Sequence, residues 1–115
     1  MKYHGSCHCG NVAIDVETEI TGAVSCNCSI CSKSAALLAF APRDAMTVIA
    51  APDAMTTYTF NKHVIQHKFC KTCGIKVFGE GVDPKGNKMA AVNVRCLEGF
   101  ELGNVERTLV DGKSF

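Results

Sequence analysis

The chain has no tryptophan, no run of basic residues and almost no net charge. Twelve Lys and Arg face eleven Asp and Glu, leaving a formal charge of +1. A nucleic-acid binder working through a strong basic field is therefore excluded. The two Tyr and six Phe do not alternate with cations as a single-strand stacking platform would. The longest apolar run, AALLAFAP at 35–42, falls well short of the roughly 20 residues that a membrane-spanning helix needs. The opening MKYHGSCHCG lacks the apolar h-region of a secretory leader. These absences create the expectation of a soluble cytoplasmic protein with no membrane and no nucleic-acid partner. A linker, a fixed-period repeat and a long amphipathic helix are missing too. Residues 1–115 are thus expected to form a single domain, whose modest core would profit from a staple.

Short strand-like runs dominate what is present. NVAIDVE (11–17) alternates, with Val12, Ile14 and Val16 on one face. MTVIA (46–50) and TTYTF (56–60) are rich in β-branched and aromatic residues, HVIQHKF and GIKVFGEG flank the last cysteine pair, and KMAAVNVRC (88–96) reads as a strand. Asn61-Lys62 is placed to turn a hairpin, and DPKGN (83–87) is a turn with Pro84 and Gly86 at suitable places. AALLAFA fits a buried strand or a short helix, and periodicity does not separate the two. One helical turn is expected around Ser29–Ser34, and a mixed polar-apolar tail from Leu97 on that ends in a turn and a loose end at DGKSF (111–115). The expected class is mostly β, with sheet edges curled around metal sites in preference to a large apolar core.

Cysteine is abundant: there are eight. In a reducing compartment, dense thiols point to metal or chemistry. An exported chain could pair an even number as disulfides, but Cys7 and Cys9, like Cys26 and Cys28, are too close to bridge each other without strain. The thiols fall into CHC (Cys7, Cys9), CNCSIC (Cys26, Cys28, Cys31), CKTC (Cys70, Cys73) and a single Cys96. FCKTCG has the form of a zinc knuckle, with Gly74 free to take the tight conformation. Its missing pair is CHC. Cys7, Cys9, Cys70 and Cys73 would make a closed tetrahedral site tying together segments about sixty residues apart, a staple for a small core.

CNCSIC offers three ligands, and three protein ligands plus a vacancy are the pattern of a catalytic zinc. The alternatives are completion by His8, His63, His67 or Cys96, which would make the site structural, and a thiol cluster that holds no metal. Charge sharpens the open reading. A zinc ion with three thiolates carries one net negative charge, so it is a weak Lewis acid and lowers the pKa of bound water poorly. Hydrolysis does not suit it. Zinc takes sulfur readily, so a thiolate supplied by a substrate would suit the vacancy.

HGSCHCGNVAIDVE, SCNCSIC, FCKTCGIKVFG and VNVRCLEG together resemble the glutathione-dependent formaldehyde-activating family, also called the centromere-protein-V/Gfa family. The match in order and spacing runs over nearly the whole chain. One departure is Asn27, where the family often has His. The resemblance implies a β-tent fold of small curled β-sheets around two zinc ions. It implies a structural zinc on Cys7, Cys9, Cys70 and Cys73, and a catalytic zinc on Cys26, Cys28 and Cys31. It further implies a carbon–sulfur lyase that adds the thiol of glutathione to formaldehyde.

Other residues carry weaker signals. Lys33, Arg43, Lys62 and Arg95 are candidate cations for a glutathione pocket. His67 is a candidate proton shuttle. Cys96 is either a small packed hydrophobe or a thiol near the open site, activated by Arg95. Phe40 and Phe78 read as core, Asn93 as facing pocket or solvent, Glu80 and Glu98 as solvated. Two rival functions stay open: a methionine sulfoxide reductase using Cys96, and a non-enzymatic zinc module for a protein partner.

Overall fold

Val12, Ile14 and Val16 are completely buried while Glu17 is exposed, so the alternation in NVAIDVE becomes a strand with one face in the core. The computed structural model describes residues 1–60, 64–104 and 106–110. Its strands are β1 (Lys2–Ser6), β2 (Val12–Glu17), β3 (Gly22–Cys26), β4 (Leu38–Pro42), β5 (Met46–Ala50), β6 (Met55–Tyr58), β7 (Gln66–Cys70), β8 (Lys76–Val82), β9 (Lys88–Asn93) and β10 (Glu106–Val110). One short helix, α1, spans Ser29–Ser34. No described helix is long and apolar enough to cross a membrane.

The strands form two sheets, ordered β1-β2-β5 and β10-β3-β4-β9-β8-β7-β6. All neighbours are antiparallel except β10, which runs parallel to β3. The two sheets share one apolar core. Val12, Ile14, Val16 and Met46 of the smaller sheet belong to the same cluster as Ala39, Val77, Phe78 and Val92 of the larger. This core is larger than the sequence led us to expect, because the small sheet lays a full apolar face on the large one.

The large sheet is buried on both faces near its centre. In β4 and the residues before it, Leu37, Ala39 and Ala41 enter the main core, while Ala36 and Leu38 join a second cluster around Cys31. A strand covered on both faces needs a continuous apolar run, which is why AALLAFA carries no usable periodicity. Directly opposed residues share a face. One row, Lys68–Phe78–Val92–Ala39, therefore brings Phe78, Val92 and Ala39 into the main core. The neighbouring row, Tyr58–His67–Gly79–Ala91–Phe40, lies on the other face. Phe40 sits at the end of that row and is 54% exposed, not core.

Three boundaries differ from expectation. KMAAVNVRC stops being strand at Asn93, because the Asn93 side chain accepts from the backbone N–H of Arg95 and turns Val94–Cys96 into a 3-10 helix. The polar-apolar tail contains β10, held by parallel pairing to β3 and not by any pattern of its own. β1 also forms, paired along β2 from Lys2 to Ser6. The expected Asn61-Lys62 turn lies outside the described residues.

Phe78 is 1% exposed and among the largest fully buried side chains. Phe78→Ala is expected to cost about 3–5 kcal/mol, the usual range for emptying a buried aromatic site, read as a lower urea midpoint. A loss below ~1 kcal/mol would contradict the shared core.

Candidate functional site

Two loops of the same shape carry the first thiol group. In CHCGNV the Cys7 N–H donates to the Val12 carbonyl and Gly10 N–H to the Cys7 carbonyl. In CKTCGI the Cys70 N–H donates to the Ile75 carbonyl and Gly74 N–H to the Cys70 carbonyl. Gly10 and Gly74 take φ of 84° and 79°, a conformation that glycine adopts without penalty. These turns bring the sulfurs of Cys7, Cys9, Cys70 and Cys73 within 4.8 Å of one another. Cys7 and Cys9 Sγ are 3.7 Å apart, and Cys9 and Cys70 Sγ 3.5 Å. A tetrahedral zinc with Zn–S bonds of about 2.3 Å has an edge of about 3.8 Å, so this donor set fits zinc. Val12 N–H donates to Cys7 Sγ, and the N–H groups of Thr72 and Cys73 to Cys70 Sγ. Such bonds favour thiolates. The Cys73 thiol is drawn down to about 6, first by the backbone N–H of Cys9 and then by that of Ile75.

The second group is built where β3 ends and α1 begins. Cys26 closes β3, Cys28 is the residue before α1, and Cys31 sits one turn in and is buried. Their sulfurs also lie within 4.8 Å of one another, and among the described residues no His, Cys, Asp or Glu joins them as a fourth ligand. This donor set fits a soft cation such as zinc, with one coordination position left open. The Cys28 N–H donates to Cys26 Sγ at 3.4 Å. Burial works against ionisation of Cys28, but the Cys31 N–H and the Cys31 and Cys26 thiols hold it below its ordinary pKa. Burial, then the neighbouring Cys28, pushes Cys31 up. Asn27 N–H donates to the Val110 carbonyl, so β10 anchors the turn that carries these thiols.

A groove of about 430 Å³ runs along α1, lined by Ser29, Ile30, Lys33, Ser34, Tyr58 and Phe60. Ile30 also packs against the cluster around Cys31, so groove and thiols adjoin. From the groove inward, Tyr58 stacks on Phe60 and Phe60 on His67, with ring centroids 5.9 and 5.4 Å apart. The His67 ring accepts at Nδ1 from Lys76 Nζ at 2.9 Å. A larger hollow, about 560 Å³ at the β8–β9 turn, is lined by residues such as Arg43, Asp83 and Lys88 and holds no cysteine.

Several candidates are placed elsewhere. Cys96 is close to the four-thiol group, not the three-thiol one. Burial first, then Cys7 and Cys73, push its pKa up to about 11, and its Sγ lies 3.7 Å from the Lys76 carbonyl. Arg95 does not activate it; the guanidinium Nε donates to the Ala35 carbonyl. Arg43 and Lys68 both pair with Glu80, which is half-buried where the sequence suggested a solvated residue. Asn93 faces neither pocket nor solvent, since its amide donates to the Lys76 carbonyl. Glu98 and His8 are exposed, and His67 is engaged with Lys76. Lys62 and His63 lie outside the described residues. Lys33 is the candidate cation that does line the groove.

Lys76, Tyr58 and Phe60 carried no signal in our reading of the sequence. A signal for Lys76 exists. Once CKTC is taken as a knuckle between paired strands, Lys76 falls opposite Phe69, as it does here, and His67 becomes its diagonal neighbour on one face.

The glutathione-dependent formaldehyde-activating enzyme family matches residues 2–107 of this chain. The crystal structure of a Rhodobacter sphaeroides protein, a Northeast Structural Genomics target, is similar over 91% of this chain and 99% of its own, with 34% identity and a TM-score of 0.77. The chain belongs to the glutathione-dependent formaldehyde-activating enzyme family.

The two groups should differ in what they support. Cys70→Ala removes a sulfur between two halves of the core and is expected to lower the thermal midpoint sharply. Cys28→Ala is expected to lose one metal equivalent while the melt stays near that of the parent. Equal destabilisation by both would contradict this division.

Proposed function

We propose that this member of the family is a zinc-dependent carbon–sulfur lyase that joins a small thiol, such as glutathione, to formaldehyde or a related small carbonyl. The observation that carries the proposal is the convergence of Cys26, Cys28 and Cys31 with no fourth ligand of the described chain, at the end of a groove. In this reading zinc, when bound there, supplies a soft position that keeps an incoming sulfur as its thiolate. The closed group of Cys7, Cys9, Cys70 and Cys73 holds the second zinc and serves the fold alone.

The chain's own residues do the rest. Ile30, Tyr58 and Phe60 give the groove an apolar and aromatic wall, and Lys33 offers a cation to a carboxylate of the thiol's body. That seating fixes the sulfur against the three cysteines, so that addition becomes a reaction between oriented partners. As the S–C bond forms, the carbonyl π bond breaks and the carbonyl oxygen takes up the proton that the thiol gave up. The atoms of thiol and aldehyde all appear in one S-hydroxymethyl product. Thiols that must stay reduced suit a cytoplasmic setting.

The reductase alternative needs Cys96 as an exposed, activated nucleophile, and the burial that raises its pKa works against that. The binding-module alternative needs no open coordination position at all.

Exchange NMR on ¹³C-formaldehyde and glutathione tests the proposal. The zinc-loaded protein is expected to accelerate formation of the S-hydroxymethyl adduct. Cys28→Ala should lose at least about a hundredfold, the upper end of the cost of losing even an outer partner of a metal ligand. Cys96→Ser should stay within ~threefold of the parent, since Cys96 lies outside the three-thiol group and its test is of packing. Unchanged exchange in Cys28→Ala, or loss in Cys96→Ser with both metals kept, would overturn it.

A further inference from the structure

We infer that Lys76 is a positioning cation for the three-thiol site: it offsets the negative charge of a fourth, incoming thiolate, and His67 holds it there without neutralising it. The inference rests on the function proposed above and adds a residue to it.

The geometry begins at a gap. Gly79 lies between His67 and Ala91 in the cross-strand row. A Cβ on Gly79 would meet Lys76 Cε and Ala91 Cβ, each at 4.0 Å, so the Lys76 stem runs over that gap beside Ala91. Ala91 in turn packs on the cluster of Cys31, Ala36 and Leu38, with Cys26 and Cys28 at its edge. The ammonium group ends 2.9 Å from His67 Nδ1. Lys76 and the thiols act on each other: burial lowers the Lys76 pKa, while Cys31, Cys28 and Cys26 each raise it.

Among the described residues, Lys76 has no carboxylate partner. Arg43 and Lys68 share Glu80, and Arg95 donates to the Ala35 carbonyl. His67 is neutral at physiological pH, because burial first and then Lys76 press its pKa down to about 4. An ammonium donating to Nδ1 leaves the ring proton on Nε2, a buried nitrogen that has no hydrogen-bond partner among the described residues. The ring therefore anchors a half-buried lysine without adding a charge of its own.

The charge matters because four thiolates around a divalent cation leave two net negative charges in a partly buried place, and desolvating them is unfavourable without a counter-charge. A carboxylate in place of His67 would cancel the lysine. A neutral ring anchors it and leaves its field intact.

The test uses the full chain loaded with Co²⁺, whose sulfur-to-cobalt charge-transfer bands report a new thiolate ligand. The probes are 2-mercaptoethanol, whose body is uncharged, and imidazole, a neutral fourth ligand. Lys76→Met is expected to keep two metals per chain and to lose about tenfold or more in thiol affinity, as removal of a unit charge several Å away at an effective dielectric of ~20 implies. Its imidazole affinity should stay within ~twofold of the parent, because a neutral ligand adds no charge for the lysine to offset. Lys76→Arg should recover thiol binding. His67→Gln should retain it, whereas His67→Glu should lose it as Lys76→Met does. These two keep the question open to test if Lys76→Met fails to fold. Unchanged thiol affinity in Lys76→Met, equal losses for thiol and imidazole, or equal behaviour of the two His67 variants would overturn the inference alone. A parent protein that shows no thiol-dependent band would overturn the proposed function itself.

Discussion

Cys7 and Cys9 have to meet Cys70 and Cys73. The two pairs stand 61 residues apart across the Cys9–Cys70 contact, and each pair sits in a turn whose N–H groups aim at sulfur. The first turn joins β1 to β2, and so fixes the small sheet. The second joins β7 to β8, and so fixes the outer part of the large one. Where the turns meet, the two sheets are locked face to face over Val12, Ile14, Phe78 and Val92. A metal held by these four thiols would be a cross-link of this span, and would limit the unfolded chain most where a small core can least compensate.

That same β7–β8 hairpin has a second role on its other face. His67 enters the sheet three residues before the Cys70 thiol, and Lys76 leaves it three residues after Cys73. The turn that carries Cys70 and Cys73 thus sets the distance between lysine and imidazole. A single hairpin carries two of the four thiols at its turn and, beside Gly79 and Ala91, the half-buried Lys76 on the face that packs on the Cys31 cluster. The two cysteine groups are distinct as ligand sets and belong to different apolar clusters. In the proposed function, sulfur is structural where four thiols would close the shell of a metal, and available for chemistry where three would leave it open.

The sequence made the thiol partition legible because the spacing of metal ligands is local: CHC, CNCSIC and CKTC each declare how many sulfurs one turn can deliver. The Ser29–Ser34 helix and the β2 and β5 strands were legible for the same reason, since period and turn chemistry act within a few residues. β10 was not, because a strand with four exposed residues in five owes its place to pairing with β3. Asn93 and Glu80 were misread because a polar residue's partner, not its own type, decides whether it is buried. Lys76 escaped notice for a related reason. It follows a knuckle and precedes VFG, and nothing in that run distinguishes a lysine over a glycine gap from one in water. The family resemblance could supply cysteines by position, but not a cation that the sheet register puts beside them.

The central claim is that a metal held by Cys26, Cys28 and Cys31 accepts a sulfur from outside the chain. Extended X-ray absorption at the zinc edge, recorded on the two-zinc protein before and after adding glutathione, tests it most directly. Four sulfurs at one site and three at the other average to about 3.5 per zinc, and capture of a thiol should raise the average to about 4, with Zn–S distances near 2.3 Å. An average already at 4 without glutathione, or one that glutathione leaves unchanged, would contradict the account.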